Sequence, residues 1–188
     1  HADEIAYNVH DIDDGLQSQM LEPEDLESVA VWRNAIDQVR RDHPAADESR
    51  LRYHAMRRLL DLLVTDLIAT TTERVARLGI DSSRAVREHR QPLAGFSDGV
   101  ATQVAELKAF LMERLYTHHR VIRMTRKAQR AMRLLFESYM DDPRQLPAHI
   151  LARRDEGTSV PRIIADYIAG MTDRFALEEY GKLFDPNE

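Results

Sequence analysis

Asp3, Tyr7, His10, Asp11 and Asp14 collect metal-ligating and hydrogen-bonding groups within one short stretch, Ala-Asp-Glu-Ile-Ala-Tyr-Asn-Val-His-Asp-Ile-Asp-Asp-Gly. In a helix advancing about 100° per residue these five fall on one side, and Ile5, Val9, Ile12 and Leu16 fall on the other. Three carboxylates, an imidazole and a phenol on one face are donors suited to a cation. Positions 1 to 27 hold nine Asp or Glu and no Lys or Arg. Like charges so crowded raise the local energy unless a cation, or groups from elsewhere in the fold, neutralise them. The plainer alternative is a solvated acidic helix.

The wording of the stretch separates these alternatives. "ADEIAYNVHDIDDGL" closely resembles the last metal-ligand segment of the HD-superfamily deoxynucleoside triphosphate triphosphohydrolases, the dGTPase-like proteins of bacteria. The stretches "FLMERLYTHHRVIRMTRKAQRAMRLLFESYMDDPRQLP" (110–147) and "DYIAGMTDRFALEEYGKLF" (166–184) are typical of the same family and follow in the same order. The resemblance implies a metal held by a His, a His-Asp doublet and a final Asp. That final Asp is Asp3. It also implies that Tyr7 reaches the substrate and that Asp11 meets the deoxyribose 3′-hydroxyl. The implied reaction is attack of water on the α-phosphorus of a dNTP, releasing deoxynucleoside and intact triphosphate. Such chemistry needs a Lewis acid and cationic side chains but no nucleophilic residue, so no catalytic side chain is assigned and the absence of Cys is no obstacle.

The sequence departs from the family pattern in one respect. The first His and the His-Asp doublet belong upstream of the Asp3 segment, and the sole His-Asp pair, His10-Asp11, follows it. One carboxylate is fewer than the three or more protein ligands a firmly held catalytic metal takes. The expectation is therefore a C-terminal portion of a longer enzyme, without the upstream HD segment and inactive in isolation. A divalent ion (Mg, Mn or similar) would be bound by the whole enzyme and not by this part alone. The alternative is a non-catalytic helical module that binds nucleotides or nucleic acid and assembles oligomers.

The remaining residues frame the site. With 188 residues, 43% hydrophobic, 31% charged and a formal charge of −6, the chain reads as one all-α domain, 1–188, a multi-helix bundle. The absence of Cys suits a cytoplasmic setting, and no apolar run is long enough for a membrane span. Helices are predicted over about 2–20, 24–41 and 47–78, the last with Gly79 as its C-terminal cap. Leu60, Val64 and Ile68 are expected to broaden the third helix's buried stripe beyond Leu59 and Leu63. Residues 79–99 hold three of the seven Gly and Pro92. They read as a flexible loop, with room for a short helix over 83–89. Residues 100–140 are helical with a break near 116–121, and Leu107, Phe110, Leu111, Leu115, Met124, Ala128, Ala131 and Leu135 mark the apolar faces. Pro147 starts a short helix ending by Gly157. The last helix is capped by Thr158 or Ser159 and carries Ile163, Ile164, Tyr167, Ile168 and Met171 inward, with Gly170 at a close helix approach.

A second cluster is basic. Between Tyr116 and Phe136 there are six Lys or Arg and no acid, and Arg123, Arg126, Lys127 and Arg130 share one helix face. These four are candidates for phosphate of the dNTP substrate or of an effector dNTP, and secondarily for a nucleic-acid backbone. The alternative is a solvated face that pairs with acidic helices. Thin aromatic interleaving argues against base stacking on single strands. His118-His119 point about 100° apart and make a poor chelate. Arg50, Arg52, Tyr53, His54 and Arg57 open the third helix and are candidates to reach a triphosphate, with no single residue favoured. The resemblance also implies a homo-oligomer. Nothing in the sequence selects among dGTP, dATP, dCTP and dTTP.

Overall fold

The computed structural model describes residues 1–154 and 157–186. Its regular structure is helical, with no strand among the described residues. The sequence reads as one domain, whereas the structure divides the chain into two compact units, His1–His118 and His119 onward. The division falls inside the expected helix break.

The first unit is built on α1 (Ala2–Gln17), α3 (Ala30–Asp42), α4 (Glu48–Arg77) and α6 (Asp98–Leu111). α3 packs along α4, and α1 lies against both α4 and α6. Ile12, Leu26, Leu59, Leu63, Leu107 and Leu111 are sealed from solvent, with Trp32 beside them. Each such leucine contributes about 1.5–3 kcal/mol of burial. Gly15 lies in the last turn of α1, against the chain that turns back beneath it. A Cβ at Gly15 would lie 2.6 Å from Leu21 Cδ1, so a larger residue there would force the buried Leu21 side chain to shift.

Two expectations are corrected here. The helix predicted over 24–41 is broken: α2 covers only Pro23–Leu26, and α3 starts at Ala30 after an extended Val29 (φ −88°, ψ 113°). Leu26 and Val29 are both buried at the bend. A reciprocal cap between Glu22 and Asp25 holds the short helix in place. Along α4, Leu60, Val64 and Ile68 do not join the core; they are 40%, 39% and 61% exposed. Ala55 and Met56 take their place beside Leu59 and Leu63. Asp47 caps α4 by accepting from Arg50 N–H at 2.9 Å, and Gly79 follows its end with φ +62°, as expected.

Within 79–99 the short helix forms as α5 (Ser83–Glu88). The end of that segment is tied to α4. Arg74 Nη2 donates to Phe96 O at 2.8 Å, and Ser97 donates through N and Oγ to Asp66 at 2.9 and 2.7 Å. α6 then passes into a π-helical turn, Met112–Tyr116, which closes the unit.

The second unit packs α7 (His119–Asp141) against α9 (Val160–Ala169) and α10 (Asp173–Phe184), with the single turn α8 (Ala148–Leu151) alongside. Leu135, Tyr139, Ile163 and Ile164 form its center. Tyr139 Oη donates to Glu179 at 3.0 Å; burial first, then this bond, raises the phenol above its ordinary value. Met124 and Ala128, expected on the apolar face, are exposed. The final helical run is two helices, because Thr172 starts a new one by capping Phe175 N–H. Gly170 ends α9 rather than admitting a neighbour: the nearest atoms to a Cβ there are the carbonyls of Asp166 and Tyr167 in its own helix, at 3.5 and 3.6 Å. The expected end of the Pro147 helix, by Gly157, runs across residues 155 and 156, outside the described residues.

Candidate functional site

α1 turns its two faces as its sequence dictates. Ile5, Val9, Ile12 and Leu16 are buried; Asp3, Tyr7, His10 and Asp14 are exposed, and Asp11 is half-buried. Asp3 and Glu4 sit in the first turn, where carboxylates complement the helix dipole. Asp3 has no hydrogen-bond or ion-pair partner among the described residues, and the Asp14 carboxylate has none either, whereas Glu4 and Asp11 are engaged. Glu4 takes His1 at 3.2 Å and Lys108 at 2.9 Å, and Asp11 accepts the hydroxyl of Tyr116.

Grooves flank this face on both sides. On one side Asp3, Tyr7 and Asn8 face Lys108, Met112 and Tyr116 across a cleft of about 570 Å³. The rings of Tyr7 and Tyr116 lie 6.2 Å apart, tilted by 32°. Burial first, then the bond to Asp11, raises the Tyr116 phenol's pKa well above the ordinary tyrosine value, so it stays a neutral donor. Asn8 is 3% exposed and its Nδ2 has no partner. A buried unmet donor costs about 1–3 kcal/mol.

On the other side His10 and Asp13 face Arg52, Tyr53 and Arg57 of α4 across a groove of about 310 Å³. Asp13 is engaged by Gln17 at 2.7 Å. Arg57 lies over the Tyr53 ring, 5.8 Å from its centroid. Neither Arg52 nor Arg57 has an ion-pair partner among the described residues. Two uncommitted guanidinium groups beside an acidic face are donors for a polyanion, which guanidinium binds through paired hydrogen bonds.

The structure thus brings Asp3, Tyr7 and Asp11 together, and selects Arg52, Tyr53 and Arg57 from the basic cluster that opens α4. Lys108, Tyr116 and Asn8 carry no signal in the sequence pattern. The first two lie about a hundred residues from their partners, and Asn8 looks like any polar helix position. The basic stripe Arg123, Arg126, Lys127 and Arg130 lies exposed on α7 in the second unit. Lys127 borders an apolar groove lined by Met124, Ala128, Met132 and Leu177.

A resident metal does not fit the donors of this chain alone. Among the described residues no three His, Asp or Glu side chains converge on one point. Asp3 contributes a single free carboxylate, where a closed or catalytic site takes three or four protein donors. Titration of the 188-residue chain with Mn²⁺, followed by electron paramagnetic resonance, should give weak, non-saturating binding that Asp3→Ala leaves unchanged. A saturable site lost in that variant would contradict the donor count.

A phosphohydrolase-associated domain matches residues 94–182, running from the end of the α4-tethered segment to α10. The chain is 43% identical over its full 188 residues to a deoxyguanosinetriphosphate triphosphohydrolase-like protein of Geobacter metallireducens, covering 49% of that protein. It is 44% identical over 184 residues to the protein of the same description from Bordetella pertussis, covering 98% of this chain and 47% of the relative. A Geobacter sulfurreducens relative is 42% identical over 187 residues. The chain spans about half the length of the curated relatives it matches. No helix among the described residues is long and apolar enough to cross a membrane. Matched from end to end at this identity, the chain belongs to the deoxyguanosinetriphosphate triphosphohydrolase-like family.

Proposed function

We propose that this chain is the substrate-binding helical part of a metal-dependent dNTP triphosphohydrolase. The observation that carries the reading is the α1 face: the carboxylate of Asp3, without a partner, lies one helical turn from Tyr7 in one groove, and Arg52 and Arg57, without ion pairs, face His10 and Asp13 in the groove on the other side of the helix. The arginines take the polyphosphate, Tyr7 packs against the sugar, and Asp11 accepts a sugar hydroxyl. Water adds to the α-phosphorus, the bond from phosphorus to the 5′-oxygen breaks, and that oxygen leaves with a proton as the deoxynucleoside. The products are deoxynucleoside and triphosphate. The divalent ion, Mg or Mn, belongs to the same proposal, with Asp3 as one donor and the others supplied from outside this chain. The isolated chain is accordingly inactive. A cytoplasmic homo-oligomer, with an effector dNTP at the α7 stripe, completes the reading.

A second reading is a non-catalytic nucleotide- or nucleic-acid-binding module, and the single free carboxylate favours it. One assay separates the two. The full-length protein is incubated with each of the four dNTPs, and the products are resolved by anion exchange. Equal amounts of triphosphate and deoxynucleoside are expected. Pyrophosphate with deoxynucleoside monophosphate would move the cleaved bond and refute the reaction. Binding of dNTP without turnover would favour the module.

A further inference from the structure

We infer that Tyr116 is a positioning residue: its hydroxyl holds the Asp11 carboxylate in place and thereby sets how strongly the site demands a sugar 3′-hydroxyl. The inference rests on the proposal that Asp11 accepts that hydroxyl.

Tyr116 is itself held from several directions. It ends the π-helical turn Met112–Tyr116, and π-turns inside helices occur frequently at functional sites. The turn runs between Leu111 and Tyr116 with Leu111 and Leu115 in the core, at 0% and 4% exposure. It leaves Tyr116 facing α1. The Thr117 hydroxyl donates to Glu113 O and closes the turn. The Tyr116 ring lies against Tyr7, so the hydroxyl meets Asp11 Oδ2 from a fixed direction.

The consequence follows from donor counting. A carboxylate offers about four acceptor sites and no donor. One site on Asp11 is taken by Tyr116, and the half-buried carboxylate keeps acceptor sites for a second donor. Without the phenol, the Asp11 side chain is free to swing about χ1 and χ2. A hydroxyl would then have to order the carboxylate as well as bind it.

The test compares kcat/KM of the full-length protein for a dNTP and for its 2′,3′-dideoxy analogue, in Y116F, D11N and the double variant. The wild type is expected to prefer the 3′-hydroxyl substrate, and D11N to lose most of that preference. Y116F should lower it by roughly tenfold, the scale of one hydrogen bond to a charged group. The loss should appear mainly in KM, with the melting temperature and helical circular dichroism retained. D11N/Y116F should be no worse than D11N, because the phenol acts through the carboxylate. A wild-type ratio in Y116F alongside a lost ratio in D11N would overturn the positioning role and leave the Asp11 assignment standing. An unchanged ratio in D11N would overturn the Asp11 assignment, and the positioning role with it.

Discussion

Replacing Asp3 by Ala in the full-length protein should lower triphosphate release from dNTPs by about a thousandfold or more, on the scale of the several kcal/mol a bound Lewis acid contributes. The thermal midpoint should hardly change. Asp3 is exposed and has no partner to lose, and removing one of several acidic groups from the first 27 residues relieves repulsion. Asp14→Ala is the control. Asp14 shares the face and its exposure, so it reports the loss of negative charge without the proposed ligand, and its turnover should stay within a few-fold of the wild type. Equal losses in the two variants would mean that the charge of the face matters and Asp3 in particular does not. Retention of a tenth or more of the activity in Asp3→Ala would remove Asp3 from any metal sphere.

The α1 face could be read in advance because helical periodicity is a local property. Asp3, Tyr7 and Asp11 are one turn apart, and four apolar residues settle which side is buried. The cap at Gly79 was legible for the same reason, since it depends on one residue's own dihedral angle. The break at Val29 was not. No Gly or Pro stands between Leu26 and Ala30 to mark the extended residue, so local propensity gives no signal there. Leu60, Val64 and Ile68 mislead in the opposite direction: the spacing is right for a buried stripe, but α4 presents a narrower line of residues to α1 and α3.

The same distinction governs the site. What α1 carries was visible, and what faces α1 was not. Lys108 meets Glu4 and Tyr116 meets Asp11 only because α6 and its π-turn pack beside the first helix. The basic residues opening α4 were visible as a cluster. Choosing Arg52 and Arg57 among them required knowing which side of α4 faces His10. The sequence favoured the other basic cluster, Arg123, Arg126, Lys127 and Arg130 on α7, as the phosphate candidate. The fold places that cluster in the other compact unit, and this makes the two clusters separable by experiment.

Arg52→Ala and Arg57→Ala should each lower kcat/KM for a dNTP by roughly ten- to a hundredfold, the scale of charge-assisted hydrogen bonds to phosphate. The two losses should combine to less than their product, since both groups address one polyanion. Arg52→Lys should recover only part of the loss, because an ammonium keeps the charge and forfeits the paired geometry. Neither arginine has an internal ion pair to break, so the melting temperature serves as a check that the fold is intact. Rising salt should weaken the wild type more than the double variant, since exposed charge interactions are screened over about 8–10 Å at ordinary ionic strength. Arg126→Ala with Lys127→Ala provides the opposing case. If the substrate triphosphate sits beside α1, this pair leaves KM for the substrate unchanged and acts only on an effector site, should α7 hold one. A raised KM in the α7 pair with wild-type kinetics in both α4 variants would transfer the phosphate site to the second unit and leave the α4 groove without a role in catalysis.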